Sequence, residues 1–323
     1  MGDLIIVTLV VASGVLAMNI GGNNTAAEMG PAYGAGVRSR RQALVLIAVF
    51  CTLGAVFAGD RVLHTVGREL IQGRGLATNP AAALVVVVSA IALIATANIL
   101  RVPVSTAHVV VGAIIGVGLF QGTTNLALAG RMLAWWVATP LVALVVCYLL
   151  GRGAYPWIVH LIGRLNTEHA VNRFLSIVLT LSGCWMAFSA GSNSLAKAMA
   201  PAVSAGALLP SSAAIFGALG MASGALLLGG RTLQTVGKEI TRVCPLCAAL
   251  VELVSASIVF TASRHGMPVS LAEIVTCSVI GFGCAAGGLR KTANNHHVRR
   301  MMVLWPLAPV SAASITFGLL ALR

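Results

Sequence analysis

Long apolar runs follow one another along the chain, separated by short segments that contain glycine, proline or charged residues. A helix that crosses the hydrocarbon core of a bilayer needs about 20 mostly apolar residues. Candidate crossings, five in each half of the chain, lie near residues 4–18, 43–59, 81–100, 104–120, 133–150, 174–190, 203–228, 245–262, 269–289 and 302–321. The pattern predicts an all-α protein that passes through the membrane many times.

Composition supports a membrane protein and excludes other classes. The chain is 58% hydrophobic and 9% charged, whereas soluble domains carry about 25% charged residues. The net charge of +13 comes mostly from loop residues, as the positive-inside rule expects, and no aromatic-rich basic patch indicates nucleic acid. Asp3 precedes the first apolar run, where a signal peptide would carry basic residues. We expect a multi-pass protein of the cell inner membrane.

The chain contains the same series of motifs twice. At an offset of 170 residues, GGNNTAAEMGP (21–31) aligns with GSNSLAKAMAP (191–201), and RVLHTVGRE (61–69) aligns with RTLQTVGKE (231–239). At an offset of 165 residues, VPVSTAH (102–108) aligns with MPVSLAE (267–273). We name these pairs the Gly-x-Asn, basic and Pro-Val-Ser motifs. Three pairs in the same order indicate a duplication.

The two halves are predicted to be inverted relative to one another. Five crossings per half place equivalent points on opposite sides of the membrane. The basic loop 38–41 has an uncharged counterpart at 208–211, and the basic loop 290–300 has few charges in its counterpart near 125–131. Both basic loops therefore fall on one face, which the positive-inside rule makes cytoplasmic.

We expect two repeats of about five transmembrane helices each, with broken or re-entrant segments at the motifs. The predicted divisions are a first repeat over 1–150, a linker over 151–173 and a second repeat over 174–323.

The Gly-x-Asn motifs are polar segments inside apolar sequence. Paired breaks at matching positions of two repeats indicate a transport site, although small residues also serve close helix contacts. The candidate substrate-binding residues here are Asn23, Asn24, Thr25, Ser192, Asn193, Ser194 and Lys197.

The Pro-Val-Ser motifs predict two helix starts. Proline is favoured at the first helical position, and a helix N-terminus binds oxyanions through its free N–H groups and its dipole. The candidate ligands are Ser105, Thr106 and Ser270. The alternative is an ordinary serine cap.

The remaining polar features have structural interpretations. The charges of the basic motifs recur in both halves, which favours structural ion pairing over gating. Cys244 and Cys247 have the spacing of a redox or metal motif, but no second pair accompanies them. We expect no metal site there or at His296-His297.

These motifs resemble those of the inorganic phosphate transporter (PiT) family, which includes sulfate permeases. That family carries a duplicated Gly-Ala-Asn-Asp-Val-Ala-Asn-Ala signature and a duplicated Pro-Val-Ser-Thr-Thr-His-type signature, which stand here at 21–28, 191–198, 102–108 and 267–273. The sequence over 18–36 is more similar to the sulfate-permease branch. The resemblance implies inverted repeats, a homodimer, and anion uptake coupled to Na⁺ or H⁺.

The chain departs from the family signature at charged positions. The signature aspartate is replaced by Asn24 and Ser194, and the next signature asparagine is replaced by Lys197 in the second copy. Phosphate at neutral pH keeps a proton that a carboxylate can accept, whereas sulfate has none. A carboxylate is also a natural Na⁺ ligand. The losses favour sulfate, or another unprotonated oxyanion, over phosphate.

Lys197 is interpreted as a tethered cation that stands where Na⁺ would otherwise neutralise the substrate, because an ionisable residue inside the membrane is a functional candidate by default. The alternative is a lysine that snorkels to the interface. H⁺ is favoured over Na⁺ as coupling ion, with Glu28, His108 and Glu273 as the candidate carriers.

We therefore expect a secondary active transporter that imports a tetrahedral oxyanion, with sulfate favoured, by alternating access. The alternative is an inorganic phosphate transporter with altered cation coupling. Thiosulfate, selenate and molybdate remain open as substrates. A channel lacks a ring-forming charge motif here, and an enzyme lacks a nucleophile with its base, so neither is expected. No cofactor is expected.

Overall fold

The computed structural model describes residues 2–73, 76, 79–99, 104–164, 167–233, 244–287 and 296–322. The first half contains α1 (Gly2–Gly34), α2 (Arg40–Ala58), α3 (Asp60–His64), α4 (Pro80–Ile99), α5 (Thr106–Gln121), α6 (Leu126–Leu149) and α7 (Tyr155–Ile162). The second half contains α8 (Glu168–Ser204), α9 (Pro210–Leu227), α10 (Pro245–Arg264), α11 (Leu271–Gly287) and α12 (His296–Ala321). Single π-helical turns follow α3 at Thr65–Glu69 and α6 at Leu150–Ala154.

Ten apolar helical segments account for the ten predicted runs. Within the described residues, six are long and apolar enough to cross a membrane, namely α1, α2, Leu126–Ile162, α8, α9 and α10. Four shorter apolar segments cover Pro80–Thr96, Thr106–Gln121, Leu271–Ala285 and Trp305–Ala321. Large apolar side chains such as Leu4 and Phe57 are more than 70% exposed, as expected for a surface that faces lipid. The all-α polytopic class is confirmed.

The two repeats exchange packing partners. At the offsets of the motifs, α1 is equivalent to α8, α2 to α9, α5 to α11 and α6 to α12. The helix α1 packs on α9 as α2 packs on α8, and α5 packs on α12 as α6 packs on α11. This reciprocity is the arrangement that an approximate two-fold axis between the repeats produces.

Glycines at equivalent positions allow the closest of these helix contacts. A Cβ atom at any of four glycines would clash with a backbone carbonyl group of a facing helix, and the contacts form two pairs related by the offset of 170: Gly21 on Met221 with Gly191 on Cys51, and Gly54 on Phe188 with Gly224 on Met18. Small residues at such crossings let helix backbones approach closely. The sequence duplication is therefore also a duplication of contacts.

Replacing Gly191 with alanine is expected to destabilise the fold by about 1–3 kcal/mol, because its Cβ would overpack the crossing with α2. The measurement is thermal unfolding in detergent, followed by loss of the monodisperse size-exclusion peak. The matched control is Gly130→Ala on α6, where a Cβ meets nothing within 4 Å. Equal melting of the two variants would contradict the assigned crossing.

Equivalent helices point in opposite directions. The C-terminal end of α2, at Ala55 and Val56, lines the same cavity as the N-terminal end of α9, at Pro210 and Ser211. At the other face, the guanidinium group of Arg40, which begins α2, lies against Gly230, just beyond the end of α9. The inverted topology is confirmed.

The helix breaks occur at only one of the two kinds of site motif. Residues 267–270 are non-helical between α10 and α11, and so are the described residues Val104 and Ser105 before α5. The Gly-x-Asn motifs instead lie inside the continuous helices α1 and α8, so the break predicted there is wrong. Their glycines serve helix crossings, and their prolines stand close to the helix ends, where Gly36 and Gly206 adopt φ of 72° and 70°.

The remaining structural predictions have mixed outcomes. Cys244 and Cys247 are joined by a disulfide at the start of α10. The repeat boundaries stay predictions; the segment 151–173 holds most of a π turn, α7 and the beginning of α8. Pro103, Lys238, Glu239 and residues 290–295 of the basic loop lie outside the described residues.

Candidate functional site

Asn24 and Ser194 touch one another at the centre of the molecule. The Asn24 Nδ2 atom donates to the Ser194 Oγ atom over 3.1 Å, between residues 170 positions apart. They are therefore the same position of the two repeats, and a contact between equivalent positions lies at the approximate two-fold axis. Both side chains are buried. These are the two positions at which the family signature has aspartate.

His108 and Glu273 form a second pair of equivalent residues at the axis. They occupy the same place in the two Pro-Val-Ser motifs, and His108 Nδ1 lies 3.3 Å from Glu273 Oε1. The same nitrogen lies 3.2 Å from the Trp305 carbonyl oxygen, which can only accept, so Nδ1 carries a proton. The ring centroid of Trp136 lies 4.1 Å away. Both members of the pair are buried.

Asn193 holds the loop that leads into α11. Its Nδ2 atom donates to Ser263 Oγ at 3.1 Å and to the Met267 carbonyl at 3.0 Å, while its Oδ1 atom accepts from the Val269 N–H at 3.1 Å. The amide group is therefore used to join the second Gly-x-Asn motif to the second Pro-Val-Ser motif. Its equivalent, Asn23, is half-buried on α1.

Lys197 is fully buried beside this loop. It is 2% exposed and its Nζ atom donates to the Val269 carbonyl at 3.1 Å. Its charge interacts with Glu273 and His108. A snorkelling lysine would place its ammonium group at the surface, so the snorkelling interpretation does not fit. The ammonium group has two further protons with which it could bind an anion.

The serines of the Pro-Val-Ser motifs cap the helices that follow them. Ser105 Oγ accepts from the His108 N–H at 3.3 Å, and Ser270 Oγ accepts from the Glu273 N–H at 3.4 Å. A cap satisfies one of the four N–H groups that a helix start leaves without intrahelical partners. The buried ends of α5 and α11 thus keep donor groups beside Thr106 and the axial pair.

The other sequence-predicted residues lie on the same helices with separate contacts. Thr25 Oγ1 bonds to the carbonyl groups of Gly22 and Gly229, and Ser192 Oγ donates to the Ser189 carbonyl within α8. Glu28 is buried one helical turn after Asn24, and its Oε2 atom has no hydrogen-bond partner among the described residues. These contacts place Thr25 and Ser192 in helix packing.

Sequence reasoning missed Glu252. It is 1% exposed on α10, and Ser182 Oγ donates to its Oε2 atom at 2.6 Å. Its Oε1 atom has no partner in the part of the chain that the structure describes. The signal that could have found it is a single carboxylate within an apolar run, which is costly in a membrane unless it has a function.

Two cavities approach the axis from different directions. A cavity of about 650 Å³ lies at the C-terminal end of α2 and reaches Leu195 and Gly266, the sequence neighbours of Ser194 and Met267. A mostly apolar cavity of about 720 Å³ lies between α6, α11 and α12 and reaches His108 and Glu273. Among the described residues, no cluster of three or more His, Cys, Asp or Glu side chains could hold a metal.

Comparisons with known proteins agree with this architecture. The profile of the Phosphate transporter family matches residues 20–165 and again residues 157–316. The sulfate permease CysP of Bacillus subtilis is 34% identical over 307 residues, covering 95% of this chain and 84% of the relative. A Chlamydia trachomatis protein assigned as a phosphate permease is 26% identical, covering 98% of both chains.

A solved structure has the same fold. The sodium-dependent phosphate transporter superposes with a TM-score of 0.82 and 22% identity, covering 99% of this chain and 100% of that one. The resemblance stated from the motifs is thus confirmed by profile, by sequence and by fold. This chain belongs to the phosphate transporter family of membrane transport proteins.

Proposed function

We propose that this chain imports sulfate through the cell inner membrane by alternating access, as a secondary active transporter. The observation that carries the proposal is the Asn24–Ser194 contact at the axis, which puts two neutral hydrogen-bonding groups where the family signature has two carboxylates. A fully unprotonated anion needs donors and cations around it, because a facing carboxylate would only repel it.

The surroundings of this contact suit a divalent anion. The Lys197 ammonium group supplies a buried positive charge, and the capped starts of α5 and α11 supply N–H donors with the positive ends of their dipoles. All of these groups are held by the motifs that recur in both repeats. The 34% identity with a sulfate permease supports the same substrate.

The alternative is inorganic phosphate carried with altered cation coupling. The Chlamydia trachomatis relative and the solved structure are named for phosphate, and phosphate has the same tetrahedral shape as sulfate. It differs in its proton, so the alternative requires an acceptor at the site. The Glu273 carboxylate is the candidate acceptor nearest Lys197 in the electrostatics of the site.

Radiolabelled sulfate uptake into proteoliposomes, with excess unlabelled phosphate as competitor, tests the substrate. Saturable uptake that phosphate does not displace is expected. Phosphate uptake without sulfate uptake under the same conditions would keep the family and reject the sulfate proposal.

We also propose that the axial His108–Glu273 pair carries the coupling proton, because its members are buried, 3.3 Å apart, and close enough to Lys197 for its charge to act on both. The sodium dependence of the structural neighbour makes Na⁺ the competing ion. Glu273→Gln is expected to abolish uptake driven by an inward proton gradient and to leave counterflow exchange of labelled for unlabelled sulfate. Uptake that depends on Na⁺ and ignores the proton gradient would reject this assignment.

The resemblance to the family also leads us to propose a homodimer in the bilayer. Its test is the mass of the detergent-solubilised protein, with the detergent contribution subtracted.

A further inference from the structure

The face opposite the basic loop 38–41 carries a cavity of about 650 Å³ that we name the vestibule. It lies at the C-terminal end of α2, so the positive-inside rule makes this face extracytoplasmic. Its charged and titratable lining consists of Asp60, Arg61, His64, Arg68, Glu69, Arg264 and His265. Three arginines against two carboxylates give the vestibule a positive balance before either histidine is protonated.

The ion pairing within the vestibule leaves two guanidinium groups without carboxylate partners. The Glu69 Oε1 atom pairs with His64 Nδ1 at 2.9 Å, and Arg61 Nη1 donates to the Arg264 carbonyl at 2.7 Å. Across the described ranges, neither Arg68 nor the Arg264 side chain has an ion pair. The structural pairing of Arg68 with Glu69 that the basic motif suggests is therefore not formed.

Unpaired arginines in a cavity are suited to an oxyanion. A guanidinium group presents five N–H donors in a planar fork that matches two oxygens of a tetrahedral anion, and it stays charged at every physiological pH. A cavity lined by one sign of charge also concentrates the field and raises the local concentration of counter-ions.

The inner wall of the vestibule adjoins the axial site. Leu195 in that wall follows Ser194, and Gly266 precedes Met267, whose carbonyl group is bound by Asn193. Gly266 has a φ of 72°, and a Cβ atom there would come within 2.5 Å of Thr65 Oγ1. The close approach joins the loop before α11 to the π turn that carries Arg68. An anion held in the vestibule is thus one layer of residues from the Asn24–Ser194 contact.

We propose that the vestibule is a second, weaker oxyanion site, at which Arg68 and Arg264 collect the divalent anion before it moves to the axial site. This inference rests on the proposed oxyanion transport, but it does not depend on whether the anion is sulfate or phosphate. The vestibule acts on capture of the substrate from the extracytoplasmic side, and the axial site acts on its translocation.

Arg68→Gln and Arg264→Gln, singly and together, test the vestibule by initial uptake rates in proteoliposomes at low and high ionic strength. We expect the double variant to raise the KM for the transported oxyanion on the order of tenfold at low salt, with the maximal rate kept, and the difference to shrink at high salt. The matched control is Arg173→Gln, an exposed arginine at the start of α8 outside the vestibule, which should leave the KM unchanged. Arg68→Lys should retain most of the capture.

A second experiment uses Arg68→Cys in intact cells with membrane-impermeant thiol reagents. A cationic reagent is expected to restore the low KM, and an anionic reagent of similar size is expected to raise it further. The free cysteines of the described chain are buried, and treated wild-type cells report their background.

Two results separate the failure of this inference from failure of the proposed transport. If the wild type takes up sulfate or phosphate, but the vestibule variants match Arg173→Gln at every salt concentration, the second site is rejected and transport stands. If the wild type takes up neither anion, the proposed function itself is rejected.

Discussion

Lys197→Met is expected to lower kcat/KM for sulfate uptake by about 10²–10³-fold while the protein still folds into the membrane. The ammonium group is fully buried and donates to the Val269 carbonyl, so its charge is little screened by water. Two unit charges about 4 Å apart in an environment of intermediate polarity interact with about 4 kcal/mol. Methionine keeps the length and apolar stem of lysine but removes the charge, so the loss should fall on anion binding.

The measurement is labelled sulfate uptake by variants that keep a monodisperse size-exclusion profile. Ser189→Ala is the matched control, because this serine is equally buried on the same helix and bonds only to the Trp185 carbonyl there. Lys197→Arg should retain part of the uptake, since it keeps the charge but changes the geometry. Full uptake by Lys197→Met would show that the buried charge serves packing alone.

Asn24→Asp combined with Ser194→Asp is expected to shift the preference from sulfate toward phosphate by about tenfold or more, equivalent to about 1.4 kcal/mol. The two side chains touch at 3.1 Å, so the double variant puts two carboxylates beside the bound anion. Carboxylates repel sulfate, but they accept the proton that phosphate carries. The readout is the concentration of unlabelled phosphate that halves sulfate uptake, together with direct phosphate uptake.

Ser194→Asn is the matched neutral control for this change, because asparagine has the size of aspartate without its charge. It should lower uptake of both anions without changing their ratio. An unchanged ratio in the double aspartate variant would mean that discrimination between the anions lies elsewhere, with the helix starts of α5 and α11 as the next place to test.

The duplication and its inversion could be predicted from sequence because they depend on order and parity. The offset of 170 residues and an odd number of crossings per repeat are enough to establish both. The structure repeats that offset in the Gly21–Met221 and Gly191–Cys51 contacts. What an offset cannot give is distance from the symmetry axis, so nothing in the sequence showed that Asn24 would touch Ser194, or His108 would touch Glu273.

The error at the Gly-x-Asn motifs has a physical cause. Glycine and proline inside an apolar run are equally typical of a broken helix and of a close helix crossing, and only the facing helix decides between them. Here Gly21 and Gly191 each face a backbone carbonyl group, and Pro31 and Pro201 stand near helix ends. The helices therefore continue through the motifs.

The candidate site was predicted in its membership more than in its division of roles. Asn193 and Asn24 occupy neighbouring positions of one aligned motif, yet Asn193 binds the Met267–Val269 loop and Asn24 faces its partner repeat. Which way a side chain points from a helix depends on the neighbouring helices. Glu252 was missed because it belongs to no repeated motif, although its position in an apolar run was visible.

The two pairs at the axis bear on the ancestry of this protein. In a dimer of two identical single repeats, each axial residue would face its own copy. A glutamate at the position of Glu273 would meet another glutamate, and a histidine at that of His108 another histidine. Joining both copies in one gene let the positions diverge independently, so that unlike residues now meet: an imidazole with a carboxylate, and an amide with a hydroxyl. Fusion thus gave the lineage access to a centre that no symmetric assembly of one small gene product could form.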